Sequence, residues 1–288
     1  MRTLYNINNG CLYQNCCSTE VMGAIKKNIP NVITCLNLLS GCIGIVLLVN
    51  RMPIEASYCM FAAAVFDFLD GLIARALKVA SPIGKDLDSL ADVITFGLLP
   101  GLMVVHMCLG AGVNPWVSLT GLIIPVFSAV RLAIFNNDTE QSYSFKGLAT
   151  PANGLFWACV NIAFFKAVEP VYGINTFGIQ VKNITRDFLP VTFGHIAENS
   201  NWLGKLAFNQ PWILLVATVI LCFLLISRLD LIAFKLNKFT VKRYAWHFVL
   251  LGTSIISIIV WGFASAPIIL FLYILISQIY FRTRKHEI

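Results

Sequence analysis

Five aspartates, Asp67, Asp70, Asp86, Asp88 and Asp92, fall within 26 residues of an otherwise apolar stretch, FDFLDGLIARALKVASPIGKDLDSLADVITFG, and make up five of the chain's 14 acidic residues. Asp67 and Asp70 are spaced i, i+3, and Asp88 and Asp92 i, i+4, so each pair shares one face of a helix. Asp86 precedes Asp88 by two residues and points about 200° away around the helix axis, which leaves it out of the constellation. The tight connection Ser81-Pro82-Ile83-Gly84 predicts antiparallel neighbouring helices, so the two pairs face one another. Four carboxylates at that range repel strongly unless they are protonated or share divalent cations. An all-oxygen ligand set suits Mg2+, Mn2+ or Ca2+, whereas zinc prefers Cys and His. Gly71, Ala74 and Gly84 are small enough to let a ligand approach closely. Arg75, one turn past Gly71, is a fork donor for a phosphate. Acidic groups, small residues and an arginine at one helix mouth point to metal-assisted chemistry on a phosphate ester.

The elements that hold these residues are apolar. Of 288 residues, 58% are hydrophobic and only 12% charged, about half the charge of an average soluble domain. These figures exclude a disordered chain, a collagen and a nucleic-acid-binding domain, and leave a polytopic membrane protein. Apolar segments at roughly 31–50, 53–78, 86–109, 114–136, 150–169, 210–228, 244–263 and 267–281 predict an all-α bundle of about eight transmembrane helices. With eight spans, sixteen Lys and Arg fall on the side of the termini and five on the other, which places both termini in the cytoplasm. The net charge of +7 is then a topogenic signal and calls for no nucleic acid. Most of the nine cysteines lie inside apolar runs and read as small buried hydrophobes. Residues 1–21 are polar and aperiodic and read as a poorly ordered extension; Met22, heading the basic lead MGAIKKNIPN, reads as the natural start of a membrane domain over 22–288. Residues 170–209 read as a partly ordered extracytoplasmic loop, and the basic, amphipathic 229–243 as a segment along the cytoplasmic membrane surface.

From Asp67 to Asp92 the residues spell D-x2-D-G-x2-A-R-x8-G-x3-D-x3-D without departure. This resembles the signature of the CDP-alcohol phosphatidyltransferase family. Outside it, IPNVITCLNLLSG (Ile29 to Gly41), DSLADVITFGLLPG, RLAIFNN through FKGLATPANG (Arg131 to Gly154) and LLISRLDLIAFK (Leu224 to Lys235) resemble the integral-membrane, serine-accepting branch of that family. The resemblance covers about Met22 to Leu236 and does not extend to the long 170–209 insert. It implies that a hydroxyl attacks the β-phosphorus of CDP-diacylglycerol and that CMP leaves, with L-serine as the acceptor. It implies divalent cations, Mg2+ or Mn2+ and two of them, on Asp67, Asp70 and Asp88 with Asp92 contributing, and Asp92 as the catalytic base. By the same resemblance Gly71 and Ala74 give room to cytidine and diphosphate, Gly84 belongs to the same site, and Arg75 and Ser81 contact the polar group of the nucleotide lipid, with Asn31 and Thr34 as further polar neighbours. Serine brings its own carboxylate, which needs a cation; Arg131 and Lys146 are the candidates. The resemblance further implies a homodimer in a bacterial inner membrane with the site facing the cytoplasm.

Plainer roles exist for each of these residues. Arg75, Arg131 and Lys146 also read as snorkelling topogenic charges, Asn31 as a helix cap, Ser81 as part of the turn, and Asn37 as a bond to a neighbouring helix. Two other functions share the aspartates. One keeps the chemistry with another acceptor, glycerol 3-phosphate, choline or an inositol compound; a phosphorylated acceptor calls for a denser basic pocket than the sequence offers. The other is a divalent-cation transporter, for which Arg75 beside the aspartates is counterproductive.

Overall fold

The computed structural model describes residues 8–77, 79, 82–137, 145–172, 201–231 and 241–285. Ser81, residues 1–7, residues 173–200 of the long loop and residues 232–240 of the basic segment lie outside the described residues. Helices run in the order α1 (Asn8–Val49), α2 (Pro53–Leu77), α3 (Pro82–Asp92), α4 (Leu99–Gly110), α5 (Pro115–Ser118), α6 (Ile123–Asn137), α7 (Thr150–Tyr172), α8 (Asn201–Asn209), α9 (Trp212–Ile226), α10 (Val241–Trp261) and α11 (Ala266–Lys285). A π-helical segment, Val93–Leu98, joins α3 to α4. The strand content among the described residues is a two-residue ladder, β1 (Phe145–Lys146) antiparallel to β2 (Asp230–Leu231).

The reversals that set the bundle are legible in local chemistry. At the end of α1, Met52 N donates to Leu47 O at 2.9 Å and Arg51 N to Leu48 O at 3.0 Å, with Arg51 in the left-handed region at φ 60°. This is a Schellman stop, and Pro53 then begins α2. The same device ends α4: Gly112 has φ 77°, and Val113 N donates to Cys108 O at 3.0 Å. Asn114 then accepts from Trp116 N at 2.9 Å, capping α5 with Pro115 in its first turn. α1 packs along α2 and also against α3, while α6 and α7 both pack on the π-helical segment.

Each of the eight apolar segments read from the sequence carries helix. Among the described residues, four helical runs are long and apolar enough to cross a membrane: Asn28–Val49, Ile83–Gly110, Pro115–Asn137 and Val249–Arg282. A fifth results if Trp202–Asn209 and Trp212–Ile226, bent by 101°, form one span. The last run doubles back. Leu250 and Ile276 pack together, although a straight helix would hold them about 39 Å apart. The reversal is the 3-10 turn Gly262–Ser265, opened by Gly262 at φ 56°.

One core cluster, around Trp157, Phe164, Met107 and Leu225, joins α4, α6, α7, α8 and α9. A second, around Met60, Leu99, Met103 and Phe96, joins α1, α2 and α4. The outward stripe Val32, Leu36, Leu39, Ile43 and Val46 on α1 stays exposed, as suits a face turned to lipid. α8 lies on α7 at Gly204, where an added Cβ would collide with the Ala163 carbonyl oxygen and sit 2.6 Å from Ala167 Cβ. The obstacle is backbone and cannot swing away. Gly204→Val is therefore expected to destabilise the fold by about 1–3 kcal/mol through overpacking, read as a lowered melting temperature in detergent.

Candidate active site

The aspartates that the sequence places on facing helices come together between α2 and α3. Asp67, Asp70 and Asp88 each present one carboxylate oxygen, and these oxygens all lie within 4.8 Å of one another. Asp70 is buried, and Asp67 and Asp88 are half-buried. Asp88 Oδ1 is shielded from solvent and has no hydrogen-bond partner among the described residues. Three converging anionic oxygens with an unsatisfied buried acceptor fit a hard divalent cation, and the triad is able to hold one. Asp86 is exposed, as its spacing predicts.

α1 supplies the support for the triad. Thr34, 3% exposed, donates from Oγ1 to Asp70 Oδ2 at 2.6 Å. Its oxygen also lies 3.1 Å from the Pro30 carbonyl one turn earlier, which fixes the rotamer. Thr34 thus orients a carboxylate, a role that its spacing in the sequence does not reveal. Partners that orient ligating carboxylates typically contribute 10–100-fold in metal affinity or activity. Thr34→Val, which keeps the shape and removes the donor, is expected to raise the half-activating metal concentration about tenfold; Thr34→Ser should retain most of the wild-type response.

Asp92 stands outside the triad. It is 5% exposed, its Oδ1 has no hydrogen-bond partner among the described residues, and it feels the charges of Asp67, Asp88, Arg131 and Asp70. Arg131 is 7% exposed. Its Nη1 donates to Thr150 Oγ1 at 2.8 Å, and its guanidinium lies 5.5 Å from the centre of the Phe135 ring. The buried anion and cation compensate one another, with Arg131 carried by α6 and anchored on the first residue of α7. The aspartate ends α3 where the π-helical segment begins, an irregularity frequent at functional sites.

Gly71 is half-buried, and an added Cβ would meet nothing within 4 Å, so open space lies beside the triad. Asn31, Ala74 and Gly84 are half-buried. Arg75 is exposed and donates from Nε to the Gly71 carbonyl at 2.9 Å. Lys146 is exposed on β1, opposite Asp230 in the ladder. The side-chain amide of Asn37 bonds no neighbouring helix among the described residues; it is the backbone carbonyl of Asn37 that accepts, from Thr95 Oγ1 at 3.4 Å. Ser128 and Asn153, which the sequence does not single out, are fully buried polar residues near Arg131 and Thr150.

The family profile for CDP-alcohol phosphatidyltransferase matches residues 27–181, a range that contains the triad, Asp92 and Arg131. Among curated proteins, a CDP-diacylglycerol–serine O-phosphatidyltransferase of Bacillus subtilis (strain 168) is 30% identical over 172 residues, 59% of this chain and 94% of that protein. One of the same name from Helicobacter pylori (strain ATCC 700392 / 26695) is 34% identical over 125 residues, 43% of this chain and 52% of that protein. An archaetidylserine synthase of Methanothermobacter thermautotrophicus is 32% identical over 140 residues, 48% of this chain and 57% of that protein. In the latter two the match spans about half of the relative's length. With the profile covering more than half of the chain and the aspartate signature intact within it, the chain belongs to the CDP-alcohol phosphatidyltransferase family.

Proposed function

We propose that this protein transfers the phosphatidyl group of CDP-diacylglycerol to L-serine, giving phosphatidylserine and CMP. The observation that carries this reading is the convergence of Asp67, Asp70 and Asp88 next to a buried Asp92 and Arg131, in a family member whose matched relatives are named for serine. Asp67, Asp70 and Asp88, with Asp92 contributing charge, hold Mg2+ or Mn2+, two ions in all. Bound there, the metal neutralises the diphosphate and stabilises the negative charge of the departing CMP.

The chain's own residues do the rest. The open space at Gly71, with Ala74 and Gly84, admits the cytidine diphosphate beside α2; Asn31, Arg75 and Ser81 contact its polar groups, and Thr34 holds Asp70 toward it. Arg131 pairs with the carboxylate of serine, and Lys146 attracts the anionic substrates at the mouth. Asp92 accepts the proton of the serine hydroxyl as that oxygen bonds to the β-phosphorus. Its Oδ1, without a hydrogen-bond partner among the described residues, is available for that proton, and the positive charge of Arg131 favours the carboxylate form against the neighbouring aspartates. Exposed apolar side chains such as Val65, Phe68, Leu69 and Leu72 on α2 leave the diacyl tails in lipid, so the site opens sideways to the bilayer.

Residues 22–288 form the catalytic membrane domain, with eight spans, both termini and the site on the cytoplasmic face of a bacterial inner membrane, and two copies in the working enzyme. The basic residues collected on that side support the orientation.

The test is transfer of label from L-[14C]serine into chloroform-soluble lipid by purified protein with CDP-diacylglycerol and Mg2+ or Mn2+. Labelled phosphatidylserine is the expected product. Labelled lipid from glycerol 3-phosphate or an inositol compound but none from serine would overturn the acceptor. Cation flux into vesicles without CDP-lipid turnover would overturn the reaction.

A further inference from the structure

Three helical elements meet at one depth below Arg131. Along α6, Ser128 lies one turn from Arg131; along α7, Asn153 lies one turn from Thr150, the residue that Arg131 bonds. The π-helical segment shows that both turns descend together. A Cβ on Gly97 would lie 3.2 Å from Ser128 Cβ, and one on Gly154, next to Asn153, would lie 3.3 Å from Phe96 Cα. Phe96 and Gly97 are themselves one turn past Asp92. The upper level thus holds Asp92, Arg131 and Thr150, and the lower level holds Ser128, Asn153 and the backbone of Phe96 and Gly97.

The lower level is polar where an apolar packing layer would be expected. Ser128 and Asn153 are 0% exposed. Ser128 Oγ and both amide atoms of Asn153 have no hydrogen-bond partner among the described residues. An orphaned buried amide or hydroxyl is costly to leave unpaired, so these three atoms at one level are retained against a penalty. Elsewhere on α7, the buried Asn161 donates to Pro53 O at 2.7 Å and to Ser57 Oγ at 2.9 Å. An asparagine on this helix therefore finds protein partners where its role is to join helices. Asn153 does not.

We infer that Asn153 and Ser128 read the α-ammonium of an amino-acid acceptor whose carboxylate is held by Arg131. An amide presents a donor and an acceptor side by side, as an α-amino acid presents carboxylate and ammonium on one carbon. Asn153 Nδ2 faces the carboxylate that Arg131 pairs with, Asn153 Oδ1 and Ser128 Oγ accept from the ammonium, and the hydroxyl is left toward Asp92. Two neutral acceptors at this depth suit an ammonium and do not supply the positive charge that a phosphate needs. The pair accordingly discriminates amino-acid acceptors from phosphorylated or amine-free alcohols.

This inference rests on the proposed serine transfer, and the experiment separates the two. CMP release from CDP-diacylglycerol is measured with L-serine and with 3-hydroxypropionate, which lacks only the amine, in wild type, Asn153→Leu and Ser128→Ala. Wild type is expected to prefer serine in kcat/KM by at least a hundredfold. In Asn153→Leu that preference should fall at least tenfold, with serine KM raised and CDP-diacylglycerol KM unmoved; Ser128→Ala, which changes little volume, should show a smaller fall in the same direction. A purely structural role would lower turnover of both acceptors alike and keep the ratio. No serine-dependent release in wild type would defeat the proposed function itself. Serine-dependent release with equal use of 3-hydroxypropionate, or an unchanged ratio in both variants, would defeat this inference alone and assign the pair to a buried water. If Asn153→Leu does not fold, the wild-type ratio and Ser128→Ala decide.

Discussion

Asp92→Asn is expected to lower serine-dependent CMP release by about 10³-fold, within the range that a positioned general base contributes. The amide has the carboxylate's shape but cannot take a proton from the acceptor hydroxyl. The substitution also removes the anion that compensates Arg131, which is 7% exposed, so some loss of stability accompanies it. Two controls separate chemistry from folding. Stabilisation of the variant by Mg2+ with CDP-diacylglycerol should persist in weakened form, because the triad of Asp67, Asp70 and Asp88 is untouched and only the charge of Asp92 is lost. Asp86→Asn, at an exposed position two residues before Asp88, should behave as wild type. Full activity in Asp92→Asn would remove the residue from the mechanism.

Asp88→Asn is the second large effect, and its sign depends on metal. In wild type the triad oxygens lie within 4.8 Å of one another, and three like charges at that range oppose folding unless a cation is present. Metal that binds the folded state and not the unfolded one raises stability by mass action. Chelation should therefore lower the melting temperature of wild type, and Mg2+ or Mn2+ should restore it. In Asp88→Asn one charge is gone, so the repulsion and the metal affinity both fall. The chelated variant should melt at or above chelated wild type, gain little on metal addition, and lose CMP release at least a hundredfold at the metal concentration that saturates wild type. A variant that melts lower than wild type in chelator, yet responds to metal as wild type does, would mean that Asp88 holds helices together and not a cation.

The site was partly legible because carboxylates are rare in apolar helices and their spacing is a geometric statement. The i, i+3 and i, i+4 pairs with a tight turn between them already put Asp67, Asp70 and Asp88 together and Asp86 aside. What spacing does not carry is which of four carboxylates form the triad; that depends on how α3 is rotated against α2 and on the α6 arginine that faces Asp92. Thr34 reads as one more polar residue at the head of an apolar segment until the approach of α1 shows that its hydroxyl meets Asp70. Ser128 and Asn153 carry no local pattern, since a lone polar residue in an apolar helix is as well explained by a bond to a neighbour, and it is burial without a partner among the described residues, together with their place one turn from Arg131 and Thr150, that marks them. The fold shows the same division. The apolar segments carry helix because burial in lipid and helix hydrogen bonding leave few alternatives, while four or five runs among the described residues are long and apolar enough to span. The π-helical Val93–Leu98 and the 101° bend between α8 and α9 arise from packing. Pro211 at the bend is the one local sign of it.

The measurement that bears most directly on the central claim is the stoichiometry of transfer by purified protein. CMP and phosphatidylserine are quantified together from CDP-diacylglycerol and L-serine, first in chelator and then after Mg2+ or Mn2+ is restored. No product is expected in chelator, and on metal addition one CMP for each phosphatidylserine, with CMP release that follows serine concentration. CMP release that ignores serine, or product formation that survives chelation, would contradict the claim.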